Sequence, residues 1–169
     1  YKELNDPWHQ AQALAGLGMV AHHTGTFPEA IHFYQRSLAL FEGQGDPTAT
    51  SRILIELGHN LLRQGVIEQG ESYVQRGCQY YQKMGDRASM AESLFNLGRM
   101  YFWLGNISKV VSISKQVAPI FRELGWIERY VFNVAGISFL LALLCDYEFA
   151  REHGQQGLEC ARKEKLLRY

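Results

Sequence analysis

Three histidines are the residues of this sequence that come closest to a chemical centre. His22 and His23 are neighbours, and His59 lies where an adjacent helix could bring it near them. Neutral imidazole is a common metal ligand. However, adjacent histidines on one helix point in different directions, and no carboxylate accompanies these three at ligand spacing. We therefore predict no metal site and no cofactor.

Catalytic motifs are not found in the rest of the sequence. The 16 glycines recur at regular intervals and do not cluster into a phosphate-binding loop, and no nucleophile elbow is present. No acid–base pair is placed where a closed pocket could hold it. The sequence thus predicts a protein that is not an enzyme.

Asn96, Arg99 and Trp103 indicate a different chemistry, the recognition of another molecule. Trp103 directly follows Phe102, and both lie close to Asn96 and Arg99 in the sequence. Exposed aromatic side chains beside Arg and Asn are typical anchors of binding surfaces. These residues become a surface only if a regular structure presents them on one side.

That regular structure is a unit that repeats along the whole chain at a constant spacing. A Leu-x-x-Leu-Gly segment is followed by a turn residue seven positions after its glycine. The three positions recur as Leu14, Leu54, Leu94 and Val134, as Gly18, Gly58, Gly98 and Ser138, and as Gly25, Gly65, Gly105 and Cys145. A repeat of this length cannot bury its own apolar face, so neighbouring units are expected to stack into a solenoid.

Each unit predicts two antiparallel helices joined by a tight turn. Apolar residues follow a 3.6-residue period, which predicts that Leu14, Leu17 and Ala21 face inward together on the first helix. Asp6-Pro7 and Asp46-Pro47 are good helix starts, and Gly25 is a good helix end. Asp86 and Asp146 predict further N-caps, and Thr26 to Glu29 predicts a capping box. Eight helices are predicted, near 8–24, 28–43, 48–64, 68–84, 88–104, 108–124, 127–144 and 147–163.

Composition excludes several classes of partner. Seventeen basic residues balance seventeen acidic ones, and no run of Lys and Arg could neutralise a phosphate backbone, so nucleic acid is not expected. The three cysteines form no Cys-x-x-Cys pair, which favours a cytoplasmic location. The longest apolar run, from Val134 to Cys145, is too short to span a bilayer and predicts a buried helix, so we expect no membrane partner.

The ends of the sequence predict a longer array. Tyr1 falls in the aromatic series of Phe41, Tyr81 and Phe121, so residues 1–5 read as the tail of a preceding repeat. We predict one domain over 1–169, with units near 6–45, 46–85, 86–125 and 126–165. Lys165 and Leu166 continue the chain without the expected linker glycine, which favours a further helix after Tyr169.

The repeat resembles the tetratricopeptide repeat. The resemblance is carried in the first unit by Leu14, Leu17, Gly18, Gly25, Phe27, Ala30, Tyr34 and Leu38. The family's usual repeat is about 34 residues; the longer form here is similar to repeats in kinesin light chains, in spindle-orientation scaffolds and in bacterial multidomain regulators, both signal-transducing ATPases and LuxR-type activators. The resemblance implies an all-α fold, a right-handed α-solenoid of four helix-turn-helix units.

The resemblance also implies where a ligand would bind. If Leu94 and Leu97 face the partner helix, the opposite face of the first helix in each unit lines a concave groove that takes an extended or helical peptide. We define the candidate groove residues as Arg52, Glu56, His59, Arg63, Glu92, Asn96, Arg99, Trp103, Phe132, Phe139 and Leu143. Gln12, Gly16, Met19 and His23 correspond to them in the first unit, and Gly136 lies among them in the fourth. The charged members could equally form a solvated face, with Arg52 and Glu56 as an i,i+4 pair.

Two functions follow from this pattern. The first is a non-catalytic module that binds a protein or peptide, as a sensor or docking segment of a larger regulator of signal transduction or transcription. The second is an architectural spacer or oligomerisation array with no groove ligand. Phe132, Phe139 and Leu143 have no cover in the sequence given, so we expect a downstream repeat, a partner or self-association to bury them.

Three local predictions concern packing. Gly18, Gly58 and Gly98 are expected at the closest contacts between paired helices. Cys145 is expected to carry strain if its turn keeps the left-handed backbone angle of the equivalent glycines. Pro119 is expected to bend its helix, since it removes a backbone hydrogen bond.

Overall fold

The computed structural model describes residues 6–164, and eight α-helices joined by short turns account for nearly all of them. They are α1 (Pro7–His23), α2 (Phe27–Gln44), α3 (Pro47–Arg63), α4 (Ile67–Met84), α5 (Arg87–Trp103), α6 (Ile107–Glu123), α7 (Ile127–Leu143) and α8 (Tyr147–Lys163). No strand occurs between residues 6 and 164. The predicted all-α fold of four helix-turn-helix units is confirmed, with every helix end within one residue of its expected position. None of these helices has the length and apolar character needed to cross a bilayer.

Aspartates start three helices as predicted. The Asp6 side chain accepts a hydrogen bond from the Trp8 backbone N–H at 2.9 Å, and the Asp46 side chain accepts one from Ala49 at 3.0 Å. Asp86 accepts from the Ser89 backbone N–H at 2.9 Å. Each carboxylate thus satisfies a backbone donor that has no partner inside its own helix.

Two predicted caps are wrong in their side-chain chemistry. Thr26 precedes α2 but makes no capping bond, so no capping box forms with Glu29; its hydroxyl instead donates to the Ala21 carbonyl at 3.1 Å and satisfies the end of α1. Asp146 precedes α8 without a side-chain capping bond. In both cases the residue type is right for a cap, and at Thr26 the short turn lets the side chain bond the preceding helix instead.

Left-handed residues separate successive helices at equal intervals along the chain. Gly25, Gly45, Gly65, Gly85, Gly105 and Gly125 all have positive φ, and Cys145 continues the series with φ of 62°. Cys145 thus has the left-handed geometry of its glycine equivalents, which is the condition under which it is expected to carry strain.

The described residues form two compact units, 6–93 and 94–164, and the division falls within α5. In unit 1, α1 packs on α2, α2 on α3 and α3 on α4. Its core contains Tyr34, Phe41, Leu54 and Leu57, all of which are almost completely buried. A Cβ atom added to Gly58 would lie 2.7 Å from the Gly70 carbonyl oxygen, so α3 and α4 meet there backbone to backbone.

Leu17 was expected to face inward with the rest of the α1 stripe and does not. It is 50% exposed, whereas its equivalents Leu57 and Leu97 are 0% and 4% exposed. Leu57 belongs to a core cluster together with Leu38 and Phe41 of the preceding helix α2. No described helix precedes α1, so Leu17 has nothing equivalent to pack against. The expected tail over residues 1–5 and the continuation from Lys165 lie outside the described residues.

In unit 2, α6 packs on α7 and α7 on α8, around Phe121, Val134, Ile137 and Leu141. The packing prediction for Gly98 needs correction there. A Cβ added to Gly98 would meet only the Ile113 side chain, at 3.3 Å, so this contact is looser than at Gly58. In place of a glycine, Ser138 bridges the helices by donating its hydroxyl to the Ala150 carbonyl at 2.6 Å. Helix α6 runs through Pro119 without interruption.

Candidate functional site

In each unit, the first helices of the helix pairs form most of the lining of a cavity. The unit 1 cavity has a volume of 450 Å³ and is lined by Gln12, Ala15, Gly16, Met19, His22 and His23 of α1, Tyr34 of α2, and Arg52, Ile53 and Glu56 of α3. The unit 2 cavity has a volume of 330 Å³ and is lined by residues of α5, α6 and α7. These two cavities are the places where the candidate groove residues can be compared with the structure.

The unit 1 cavity brings together six residues that the repeat pattern placed on one face. Arg52 and Glu56 line it from α3. The candidate groove residues of the first repeat line it from α1, and they are Gln12, Gly16, Met19 and His23. His59 and Arg63, which were predicted for the same face, do not line the cavity. The Arg63 guanidinium instead lies 5.7 Å from the centre of the Phe27 ring, in a cation–π arrangement.

Glu56 is partly buried at the cavity wall. Burial raises the pKa of its carboxyl above the ordinary value, while the positive charges of His22, Arg52 and His23 act in the opposite direction. Arg52 is exposed and Glu56 is partly buried. The wall therefore offers a cation to solvent beside an acid that is partly withdrawn from it.

His59 directly precedes Asn60, which takes part in a small polar network. His22 Nδ1 donates to Asn60 Oδ1 at 3.0 Å, and Asn60 Nδ2 donates to the Glu56 carbonyl at 2.7 Å. Burial, with the positive charges of His22 and Arg63, lowers the pKa of His59 to about 4. Its Nε2 is sealed from solvent and has no hydrogen-bond partner. His59 is thus a neutral, partly buried side chain and not part of the cavity wall.

The unit 2 cavity collects the aromatic members of the candidate groove residues. Arg99, Trp103, Phe132, Gly136 and Phe139 line it. Trp103, Phe132 and Phe139 are 79%, 69% and 64% exposed, so large apolar surfaces border the opening.

The structure does not bring every candidate groove residue to a cavity. Asn96 is partly buried and does not line the unit 2 cavity, and neither does Leu143, which is 62% exposed. Glu92 is partly buried in unit 1 and lines neither described cavity.

Sequence reasoning missed several residues at the cavities. Phe95 and Phe102 line the unit 2 cavity, where Phe95 contacts Phe132 with ring centres 6.2 Å apart. Asn133 also lines it. In the second repeat, the equivalent position holds the buried residue Ile53. The first two repeats have the apolar residues Ala13 and Ile53 at this position, so the amide at position 133 was the signal that could have drawn attention to Asn133.

The arrangement suits recognition through side chains. Within residues 6–164, no group of three or more His, Cys, Asp or Glu side chains is placed to hold a metal ion. Both cavities are bordered by helix faces that carry cationic and aromatic groups. The fold and the two cavities define a helical-repeat protein in which the first helices of the helix pairs line cavities large enough to hold a ligand.

Part of the chain matches the tetratricopeptide repeat family. Residues 9–83 match the family model described as tetratricopeptide repeat, and eight helices in four pairs carry the same design through residue 163. This confirms the resemblance inferred from the repeat pattern. No curated protein sequence matches the chain.

Solved structures share this fold at low sequence identity. The chain is similar to BtubC (BKLC) from P. vanneervenii, with a TM-score of 0.82 and 15% identity over 99% of this chain and 70% of that one. A Rap protein complexed with Competence and Sporulation Factor gives a TM-score of 0.73 and 16% identity over 94% of this chain and 44% of that one. A putative kinesin light chain from Podosopora anserina, with nearly identical TPR-like repeats, gives 0.70 and 15% over 93% and 77%.

Proposed function

We propose that this chain is a non-catalytic module that binds a protein or peptide, as a sensor or docking segment of a larger regulatory protein in the cytoplasm. The observation that carries the proposal is the lining of the two cavities. In each unit, residues from one face of the first helices line the hollow, and this face is the one that tetratricopeptide repeats use for ligands. Structural neighbours include a Rap protein in complex with Competence and Sporulation Factor, which supports a protein or peptide ligand.

The residues that line the unit 2 cavity favour binding of a partner's side chain over a purely architectural role for the chain. Trp103 is 79% exposed, and an aromatic side chain left in water forgoes burial that a partner could supply. Arg99 lies beside it on the same wall and offers a planar donor that can pair with a carboxylate or a peptide carbonyl.

A peptide-display selection tests this proposal. The chain would be exposed to a random peptide library, and enriched peptides would be synthesised and their dissociation constants measured by calorimetry. We expect the double variant Arg99→Ala/Trp103→Ala to weaken binding at least tenfold, since such anchors each contribute more than about 1 kcal/mol. The control Gln116→Ala changes an exposed α6 residue that does not line the cavity. Enrichment of no peptide, or equal affinity for the double variant, would refute the proposal.

The architectural alternative rests on a separate observation. Phe132, Phe139 and Leu143 are all more than half exposed on α7. If they form an oligomer contact, the chain should self-associate, and Phe139→Ser should make it monomeric in sedimentation velocity runs. A wild-type chain that is monomeric at high concentration would exclude this alternative.

A further inference from the structure

Asn133 is the only buried asparagine in the described residues whose side-chain oxygen has no partner. It is 4% exposed, and its Oδ1 is sealed from solvent without a hydrogen bond. The other buried asparagine, Asn60, uses both ends of its amide: Oδ1 accepts from His22 and Nδ2 donates to the Glu56 carbonyl. A buried acceptor without a donor is unfavourable, because the group has lost its water without replacement.

The repeat pattern shows that helix packing does not require this amide. The second repeat has Ile53 at the equivalent position, where the side chain is 1% exposed in an apolar core. The third repeat has Ser93 at this position, and its hydroxyl donates to the Ser89 carbonyl at 2.7 Å. Among the described residues at this repeat position, only Asn133 is a buried polar residue with an unsatisfied atom, and it lines the unit 2 cavity.

Much of the rest of the cavity wall is aromatic, and aliphatic side chains, Arg99 and Ser114 also line it. Phe95, Phe102, Trp103 and Phe132 surround it, and Phe102 and Trp103 pack edge to face with ring centres 5.9 Å apart. Gly98 and Gly136 line it without side chains, which leaves the volume of 330 Å³ open. This is at the lower end of the range of about 300–1,000 Å³ for small-molecule sites, a size that suits one side chain better than a large ligand.

We propose that the unit 2 cavity binds an aromatic side chain of the peptide partner that carries one ring-edge donor, an indole N–H or a phenol O–H, which donates to Asn133 Oδ1. This inference rests on the proposed function, since it specifies the partner's chemistry. The aromatic walls contact the faces and edges of the ring. The terminal amide torsion of Asn133 is soft, so rotation about it brings Oδ1 to the cavity when a donor arrives.

The test compares ligands that differ by one donor. Indole and 1-methylindole have the same ring system, but only indole has the N–H. We expect isothermal titration to give indole about two- to tenfold tighter binding to the wild-type chain, the effect of one hydrogen bond. Equal affinities, or binding of neither compound, would overturn the inference.

Variants taken from the other repeats assign the effect to Asn133. Asn133→Ile and Asn133→Ser introduce the residues found at positions 53 and 93, and thermal melts would establish that each folds. Both should bind the two compounds with equal affinity, while the control Gln116→Leu keeps the wild-type preference. A preference for indole that survives in both Asn133 variants would contradict the assignment.

A third probe distinguishes a peptide side chain from a free ring. N-acetyltryptophanamide carries the indole between two peptide bonds. Binding at least as tight as that of indole supports the peptide assignment, and complete loss of binding refutes it. If display selection yields peptides whose binding depends on Arg99 and Trp103 while indole and 1-methylindole bind equally, the present inference fails and the proposed function stands.

Discussion

Gly58 and Gly98 hold equivalent positions in consecutive repeats, yet the structure predicts opposite outcomes for the same substitution. A Cβ at Gly58 would lie 2.6 Å from Val74 Cγ2 and 2.7 Å from the Gly70 carbonyl oxygen. The carbonyl belongs to the α4 backbone and can move only if the helix moves. At Gly98 the nearest atom is Ile113 Cγ2 at 3.3 Å, a side-chain methyl that needs to shift by a few tenths of an ångström.

The magnitudes follow from two opposing effects. Replacing a mid-helix glycine by alanine stabilises a helix by about 1 kcal/mol, and overpacking a tight contact costs about 1–3 kcal/mol. Gly58→Ala should therefore lower the free energy of unfolding by up to about 2 kcal/mol. Gly98→Ala should raise it by up to about 1 kcal/mol, since its neighbour can adjust.

Urea unfolding followed by far-UV circular dichroism measures both effects. Gly16→Ala is the matched control for helix propensity alone, because a Cβ there meets nothing within 4 Å. It should stabilise the chain about as much as Gly98→Ala does. If Gly58→Ala stabilises the chain as much as Gly16→Ala does, the backbone contact between α3 and α4 has no energetic consequence and the reasoning fails.

Three further predictions concern single side chains. Cys145→Gly should raise the free energy of unfolding by about 1 kcal/mol, because φ of 62° strains any residue with a Cβ; an unchanged urea midpoint would argue against strain. His59 has a folded pKa of about 4 against an ordinary 6.5, so its contribution to stability is complete above pH 6.5 and is lost as the pH falls toward 4. Between pH 7 and pH 5 the wild type should lose about 2 kcal/mol more than His59→Gln, and parallel pH profiles would exclude this. Ser37→Ala should cost about 0.5–1.5 kcal/mol, because the buried hydroxyl donates to the Ala11 carbonyl at 2.8 Å; a thermal melt with no shift would show that this bond contributes nothing.

The sequence predicts the helices accurately because their boundaries depend on local chemistry. A glycine with left-handed geometry and an aspartate one residue later define the start of α3 and of α5 almost alone. Leu17 was misplaced for the opposite reason. Its burial requires a neighbour from another repeat, and a helix's own periodicity cannot report whether that neighbour is present.

The candidate site was predictable as a face and not as a set of contacts. Helix geometry placed Arg52, Arg99 and Trp103 on the side that lines the cavities. It could not show that Asn96 stays off the cavity wall, since that depends on how closely the surrounding helices approach. Nor could it show that Asn133 is sealed without a donor, which is a property of all its neighbours together.

The equal spacing of the left-handed turns, from Gly25 to Cys145, has a consequence for insertions and deletions in this protein. One residue added within a helix turns everything after it by about 100° and rotates its buried stripe toward water. Loss or gain of one whole repeat, by contrast, removes or adds one helix pair and leaves every remaining stripe facing its partner. We expect natural variants of this chain to differ in length by whole repeats, with single-residue changes confined to the turns at Gly25 and its six equivalents.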